Sequence, residues 1–227
     1  MKGKKVVVTG GSRGIGLEVA RLLLAEGASV LAVSRSEAHL DGARHTLPPL
    51  ETLQADVTVP QDVDRLALWV ETRWGRLDVL VNNAGVFLDG DTDMVAQPDE
   101  AFEATMRVNL FGPYLCTKRL APHLLKSDDP RVVNIGSSMG VLSPGLSGAY
   151  SVSKAGLNAL TIAFANEFRG QVAVNCLSPG WVRTDMAPDA PGDPKRSAED
   201  LLWLLGQPRS VSGGFFGGRK QIAWAQR

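Results

Sequence analysis

The residues Lys5-Val-Val-Val-Thr9, followed at once by glycines at 10, 11, 14 and 16 and then by apolar residues at helical spacing as far as Glu26, constrain the fold more than any other feature of the chain. A short β-branched run reads as a strand, a glycine cluster as a turn, and a 3.6-residue apolar period ended by Gly27 as a helix. Strand-like runs recur at residues 29–34, 51–54, 77–82, 131–136 and 172–177, and between them lie helix-like stretches, clearest at 62–74, 99–125 and 150–168. Such alternation calls for an α/β fold, a doubly wound parallel sheet with helices on both faces. At 227 residues, with no linker-like stretch, the chain is expected to form one domain over 1–227. After Pro179 the pattern loosens into prolines at 188, 191 and 194, a short helix near 198–205, and a glycine-rich end before Ile222-Ala-Trp224. Ligands of doubly wound sheets sit beyond the carboxyl ends of the strands, so the stretch 186–206 reads either as a short substrate lid or as an ordinary surface loop.

Twenty-four basic side chains balance 24 acidic ones, which argues against nucleic acid or an anionic membrane as partner. Residues 132–153 carry no charge and are long enough to span a bilayer, but six serines, four glycines and Pro144 argue against a membrane helix. Cys116 and Cys176 lie in apolar surroundings without metal-ligand spacing, so they read as buried free thiols and no metal is expected. That usage suits a reducing cytoplasm, and the first residues lack the pattern of a signal peptide.

Thr9-Gly-Gly-Ser-Arg-Gly-Ile-Gly16 closes the first strand and opens the first helix, the place where a dinucleotide pyrophosphate approaches backbone N–H groups. Gly10, Ser12, Arg13, Gly14, Ile15 and Gly16 are therefore candidate cofactor contacts. The second strand ends at Ser34-Arg35, where an NAD enzyme commonly places an acid for the ribose hydroxyls. Arg35 stands there instead, and with Arg13 it offers guanidinium groups to a 2′-phosphate, so NADP(H) is expected over NAD(H). Glu37 is an alternative partner for Arg35. Asp56, with Val57, follows the third strand and suits the adenine, and Asn82-Asn83-Ala84-Gly85 ends the fourth strand beside the same crevice.

Tyr150 and Lys154 are four apart on an expected helix and so share one face, and Ser137 precedes the tyrosine by thirteen residues at the end of the fifth strand. A phenol ionises near a pKa of roughly 10, so its use near neutrality needs a neighbouring cation, which Lys154 supplies. A serine hydroxyl can hold a substrate carbonyl oxygen in place. Ser138 is the second candidate for that role, and the spacing to Tyr150 together with Gly140 favours Ser137.

With the glycine turn, the Asn-Asn-Ala-Gly strand end, Tyr150-x-x-x-Lys154, and Pro179-Gly180 followed by Val182 and Thr184 in this order, the chain resembles the short-chain dehydrogenase/reductase family over nearly its whole length. The resemblance implies a Rossmann-type fold and a catalytic tetrad of Asn109, Ser137, Tyr150 and Lys154, with Asn109 supporting a water chain that relays the proton. It also implies that Lys154 contacts the nicotinamide ribose, that Asn83 lies near the cofactor, and that Pro179 to Thr184 bracket the nicotinamide. The residues from Pro179 to Met186, Ser212-Gly-Gly-Phe-Phe216 and Ile222-Ala-Trp224 are similar to the carbonyl-reductase-like branch, which implies an aldehyde, ketone or quinone as the small-molecule substrate, interconverted with its alcohol, and a fairly open site. A 3-oxoacyl-carrier-protein-type reductase and a non-catalytic NADP(H) sensor are the rival readings. Family members pair through the helices at 99–125 and 150–168, so a homodimer or homotetramer is implied, although relatives in this branch are also monomeric.

Overall fold

The structure is a computed structural model that describes residues 1–88, 93–143 and 146–225. Strands β1 (Lys5–Thr9), β2 (Ser29–Ser34), β3 (Glu51–Gln54), β4 (Val79–Asn82), β5 (Arg131–Ile135), β6 (Ala173–Leu177) and β7 (Phe215–Gly217) run parallel in the order β3-β2-β1-β4-β5-β6-β7. The short β8 (Lys220–Gln221) closes the edge antiparallel to β7. Gly218 and Arg219 make the connecting turn with φ of 54° and 63°, the two left-handed residues that a tight hairpin requires.

Side chains alternate across the sheet and bury a large core on each face. Val6 and Val8 of β1 join Val30, Val81 and Leu177 on one face, under α1 (Gly14–Ala25), α2 (Glu37–Thr46) and α7 (Pro194–Leu205). Val7 joins Leu31, Leu80 and Val174 on the other, under α3 (Pro60–Trp74) and α5 (Gly112–Leu124). These are the helices on both faces that a parallel sheet demands.

The segment expected as one helix over 99–125 is α4 (Asp99–Met106), a single π-helical turn (Arg107–Phe111) and α5 in unbroken succession. Gly112 donates its N–H to the carbonyl of Arg107, five residues back, and Pro113 has no N–H to give Asn109, so regular α spacing fails there. Of the stretch considered as a lid, residues 194–205 form α7, whose Ala198, Leu201 and Leu204 pack in the core with Val19 and Leu23 of α1. Met186, in the loop before it, lines the cleft at the carboxyl edge of the sheet. The uncharged stretch at 132–153 becomes β5, a 3-10 turn (Ser138–Gly140) and the start of α6 (Gly148–Phe168), with positions 144 and 145 outside the described residues. Among the described residues no helix is long and apolar enough to cross a membrane.

Candidate active site

Strand order reverses between β1 and β4, and a cleft of about 400 Å3 opens beyond their carboxyl ends, the usual ligand position in such a sheet. Gly10 and Gly14 form its floor in the left-handed region, with φ of 63° and 52°. Gly16 is required for another reason: a β-carbon there would collide with the carbonyl oxygen of Gly10 and stand 2.5 Å from Asn83 Nδ2. Helix α1 starts at Gly14 with no side-chain cap from Arg13 and no acid in its first turn. Its leading N–H groups, at Gly14 and Ile15 in the cleft wall, therefore suit an anionic ligand, and a dinucleotide pyrophosphate fits this cradle.

Ser12, Arg13, Arg35, Asp56 and Val57 line one end of the cleft, the end expected to take the adenosine. Arg35 Nη1 lies 3.6 Å from Asp56 Oδ2, and Arg13 Nη1 lies 2.6 Å from Asp185 Oδ2. Glu37 pairs with Arg44 at 2.7 Å, so the partner considered for Arg35 serves the helix α2 instead. Asp56 is partly spent on the chain itself: its Oδ1 accepts the N–H and the hydroxyl of Thr58, both at 2.8 Å.

Asn83 braces the glycine turn. Its amide donates to the carbonyls of Thr9 at 2.9 Å and Gly10 at 3.1 Å, and Thr9 Oγ1 accepts the N–H groups of Asn83 and Ala84 at 3.0 and 3.1 Å. Ala84 and Gly85 continue the wall, while Asn82 turns into the sheet and donates to Asn134 Oδ1 at 2.8 Å. On the far side stand Pro179 and Thr184. Gly180 turns the chain with φ of 81°, and Val182 is buried where the loop pairs with Gly192. Gly16, Gly180 and Val182 do not themselves line the cleft.

At the catalytic end, Tyr150 and Lys154 both line the cleft from the first turns of α6. Lys154 Nζ stands 5.5 Å from the centre of the Tyr150 ring, and Phe87 packs edge-on against that ring at 5.2 Å. The lysine is buried and donates to the carbonyl of Ile135 at 2.8 Å. Burial lowers its pKa from 10.5 to about 8, with an opposing effect from Cys176. The same burial pushes the Cys176 thiol up to about 12.

Ser137 begins the 3-10 turn, where its hydroxyl accepts the N–H of Met139 at 3.1 Å and keeps its own proton to donate. Ser138 is exposed and Ser137 half-buried; neither lines the cleft itself, and Ser137 directly follows the cleft-lining Gly136. Asn109 is fully buried in the π-helical turn. Its Oδ1 accepts the N–H of Val86 at 2.8 Å, and its Nδ2 donates to the Val86 carbonyl at 2.9 Å and to Ser153 Oγ at 3.0 Å. Ser153 in turn donates to the Tyr150 carbonyl at 2.7 Å, so the asparagine links the β4 loop to the tyrosine's own helix.

A family model described as short chain dehydrogenase matches residues 4–194. The chain belongs to the short-chain dehydrogenase/reductase family. Among curated relatives, an L-fucose dehydrogenase of Bos taurus is 35% identical over 220 residues, spanning 92% of this chain and 80% of the relative. A 3-oxoacyl-acyl-carrier-protein reductase of Thermotoga maritima is 31% identical over 220 residues, spanning 93% and 88%. Among solved structures, an NADPH-bound carbonyl reductase from chicken fatty liver superposes with a TM-score of 0.89 at 27% identity, covering 99% of this chain and all of that one.

Within this short-chain dehydrogenase, several supporting residues carry little or no local sequence signal. Gly140 touches α6, Ser153 joins Asn109 to Tyr150, and Asp185 reaches Arg13. Only Gly140 had a hint, as a glycine three residues after the candidate serine.

Proposed function

We propose that the protein is an NADP(H)-dependent reductase that interconverts an aldehyde, ketone or quinone with the corresponding alcohol. The observation that carries this reading is the Tyr150–Lys154 pair opening into the same cleft as the glycine turn and two arginines. Arg13 and Arg35 supply the donors for a ribose 2′-phosphate. The nicotinamide, when bound, supplies the hydride.

Tyr150 is the proton donor to the developing alkoxide. Lys154, held by Ile135 beneath the ring, favours the phenolate that remains. Ser137 donates to the substrate oxygen and keeps it within reach of the phenol. Asn109 works by position: with both ends of its amide engaged, it fixes the Val86 backbone against α6 and holds the tyrosine's turn in register.

Phe87, Leu88, Met139, Leu142, Trp181 and Met186 are exposed large apolar side chains on the loops after β4, β5 and β6. They support an open mouth for an apolar carbonyl compound. The loop after β6 carries Asp185, Asp189 and Asp193 against Arg183, which disfavours an acidic carrier at that edge. Buried free thiols at Cys116 and Cys176 support the cytoplasm as its compartment.

A second copy of the chain is the partner we propose for the apolar groove of about 670 Å3 between the π-helical turn and α6, lined by Met106, Leu110, Phe111, Gly156, Ala159 and Leu160.

The deciding experiment follows nicotinamide absorbance with NADPH or NADH and a panel of aldehydes, ketones and quinones, free and carrier-linked. Wild type is expected to consume NADPH with free substrates, while Tyr150→Phe binds NADPH and turns over at least a hundredfold more slowly. Retained turnover in Tyr150→Phe overturns the assignment.

A further inference from the structure

Thr184 and Ala187 exchange backbone hydrogen bonds, at 3.3 and 3.0 Å, and so close a tight turn with Asp185 and Met186 at its tip. The turn belongs to a braced loop. Arg183 donates its N–H to Gly192 at 2.9 Å, Gly192 donates to Trp181 at 3.2 Å, and Ser197 Oγ donates to the Pro179 carbonyl at 2.9 Å. Thr184 also rests on the glycine turn, since a β-carbon on Gly14 would stand 3.2 Å from its Cγ2. The tip is thereby held over the phosphate end of the cleft, and Asp185 and Met186 both line it.

At that place a carboxylate is out of keeping with a site for anions. Asp185 Oδ2 lies 2.6 Å from Arg13 Nη1, and among the described residues no other hydrogen bond is made by this carboxylate. Asp56, which faces Arg35, differs in being anchored by Thr58.

We propose that Asp185 is a specificity-determining residue for the cofactor: its carboxylate competes with a ribose 2′-phosphate for the guanidinium of Arg13. The proposal rests on the reading of Arg13 and Arg35 as partners of that phosphate. A cofactor that carries the 2′-phosphate must draw Arg13 away from Asp185. A cofactor with a neutral ribose hydroxyl there does not meet that cost, so Asp185 narrows the preference for NADP(H) that the arginines create. Both side chains are more than half exposed, at 58% and 71%, so screening limits the effect to about 1.5- to fivefold in affinity.

Fluorescence titration of NADPH and NADH against wild type, Asp185→Asn, Arg13→Ala and the double variant tests this. Asp185→Asn is expected to tighten NADPH by that factor and leave NADH unchanged, and the gain is expected to vanish on the Arg13→Ala background. Equal changes for both cofactors, weaker NADPH binding, or a gain that survives without Arg13 would each overturn the proposal. Arg13→Ala and Arg35→Asp separate the two layers of inference. If they leave the NADPH to NADH ratio unchanged, the NADP(H) reading itself fails. If they move the ratio while Asp185→Asn does not, only the role of Asp185 falls.

Discussion

Gly140 lies so close to Lys154 that a β-carbon on the glycine would stand 2.6 Å from the lysine's carbonyl carbon and 2.8 Å from its carbonyl oxygen. The turn that carries Ser137 is therefore pressed directly on the backbone of the helix that carries Tyr150. Asn158 Nδ2 reinforces the contact by donating to the Gly140 carbonyl at 3.0 Å. Two catalytic candidates from different elements are registered by a glycine that does no chemistry itself.

Gly140→Ala is accordingly expected to force these backbones apart. The obstructing atoms are main chain, so no side-chain rotation relieves the clash, and overpacking of this kind costs about 1–3 kcal/mol. The cofactor turn lies on other strands, so NADPH affinity should stay within about twofold while kcat drops by about 10- to 100-fold, as expected when catalytic groups shift relative to each other. Thermal unfolding, cofactor titration and steady-state kinetics check the three parts. An alanine variant with wild-type kcat would show that the contact does not set the serine's position.

Lys154 gives a prediction whose sign follows from its burial. Its pKa falls from 10.5 to about 8, so the folded protein releases this proton at lower pH than the unfolded chain does. Below pH 8 both states hold the proton and the penalty on the buried charge is present in full. Between pH 8 and 10.5 only the unfolded state holds it, so this group's contribution to stability improves as pH rises, by up to about 3 kcal/mol. Lys154→Met has no such proton. Wild type should gain stability relative to this variant across that window, measured by denaturant unfolding at several pH values, and a constant difference would contradict the buried-charge account. Activity should follow the ammonium: kcat/KM for reduction is expected to decline above about pH 8, and Lys154→Met to lose at least a hundredfold.

Asn83 was legible as part of a motif, but its work was not. Its two donated bonds tie the end of β4 to the carbonyls of Thr9 and Gly10, and those carbonyls flank the turn proposed to receive the pyrophosphate. Asn83→Ala removes both donors and should cost about 1–3 kcal/mol in stability, with NADPH binding weakened about tenfold as the turn loosens. Asn83→Asp should be worse than alanine, because it sets an acceptor-only group against two acceptors. Unfolding and NADPH titration rank the variants, and an aspartate as benign as alanine would argue against the brace.

The pattern in these cases explains what sequence could reveal. Tyr150, Lys154, Gly10, Gly14 and Arg35 are legible because chemistry or backbone conformation demands those residue types at those spacings. The strands are legible because burial on both faces leaves nearly continuous apolar runs such as Val6 to Val8. Helix α2 escaped because its buried positions are only Leu40 and Ala43, too few to establish a helical period. The β7–β8 hairpin escaped because its signal is one pair of left-handed residues between very short strands. Ser153 and Asp185 depend on which distant backbone arrives beside them, and nothing in their immediate sequence records that; Gly140 was marked only by its place three residues after Ser137. The short helix expected near 198–205 is present as α7, but its packing was not legible: the prolines before it masked that Leu201 and Leu204 belong to the core against α1.

The face formed by the π-helical turn and α6 supports the last prediction. Ala159 and Ala163 are exposed on α6, and Leu110 meets the same surface where a β-carbon on Gly156 would stand 2.9 Å from Leu110 Cδ2. Small residues let a second helix approach closely, and the groove beside them is apolar, so two-fold pairing of identical faces would bury it in both copies. Because α6 also carries Tyr150 and Lys154, such pairing would stiffen the catalytic helix from behind. Sedimentation velocity should find a dimer in wild type, and Ala159→Asp, which places two like charges at the symmetric contact, should shift the population to monomer by at least tenfold in dissociation constant. The monomeric variant should keep its fold by circular dichroism and lose part of its kcat. A wild-type chain that sediments as a monomer at micromolar concentration would remove this face as the interface.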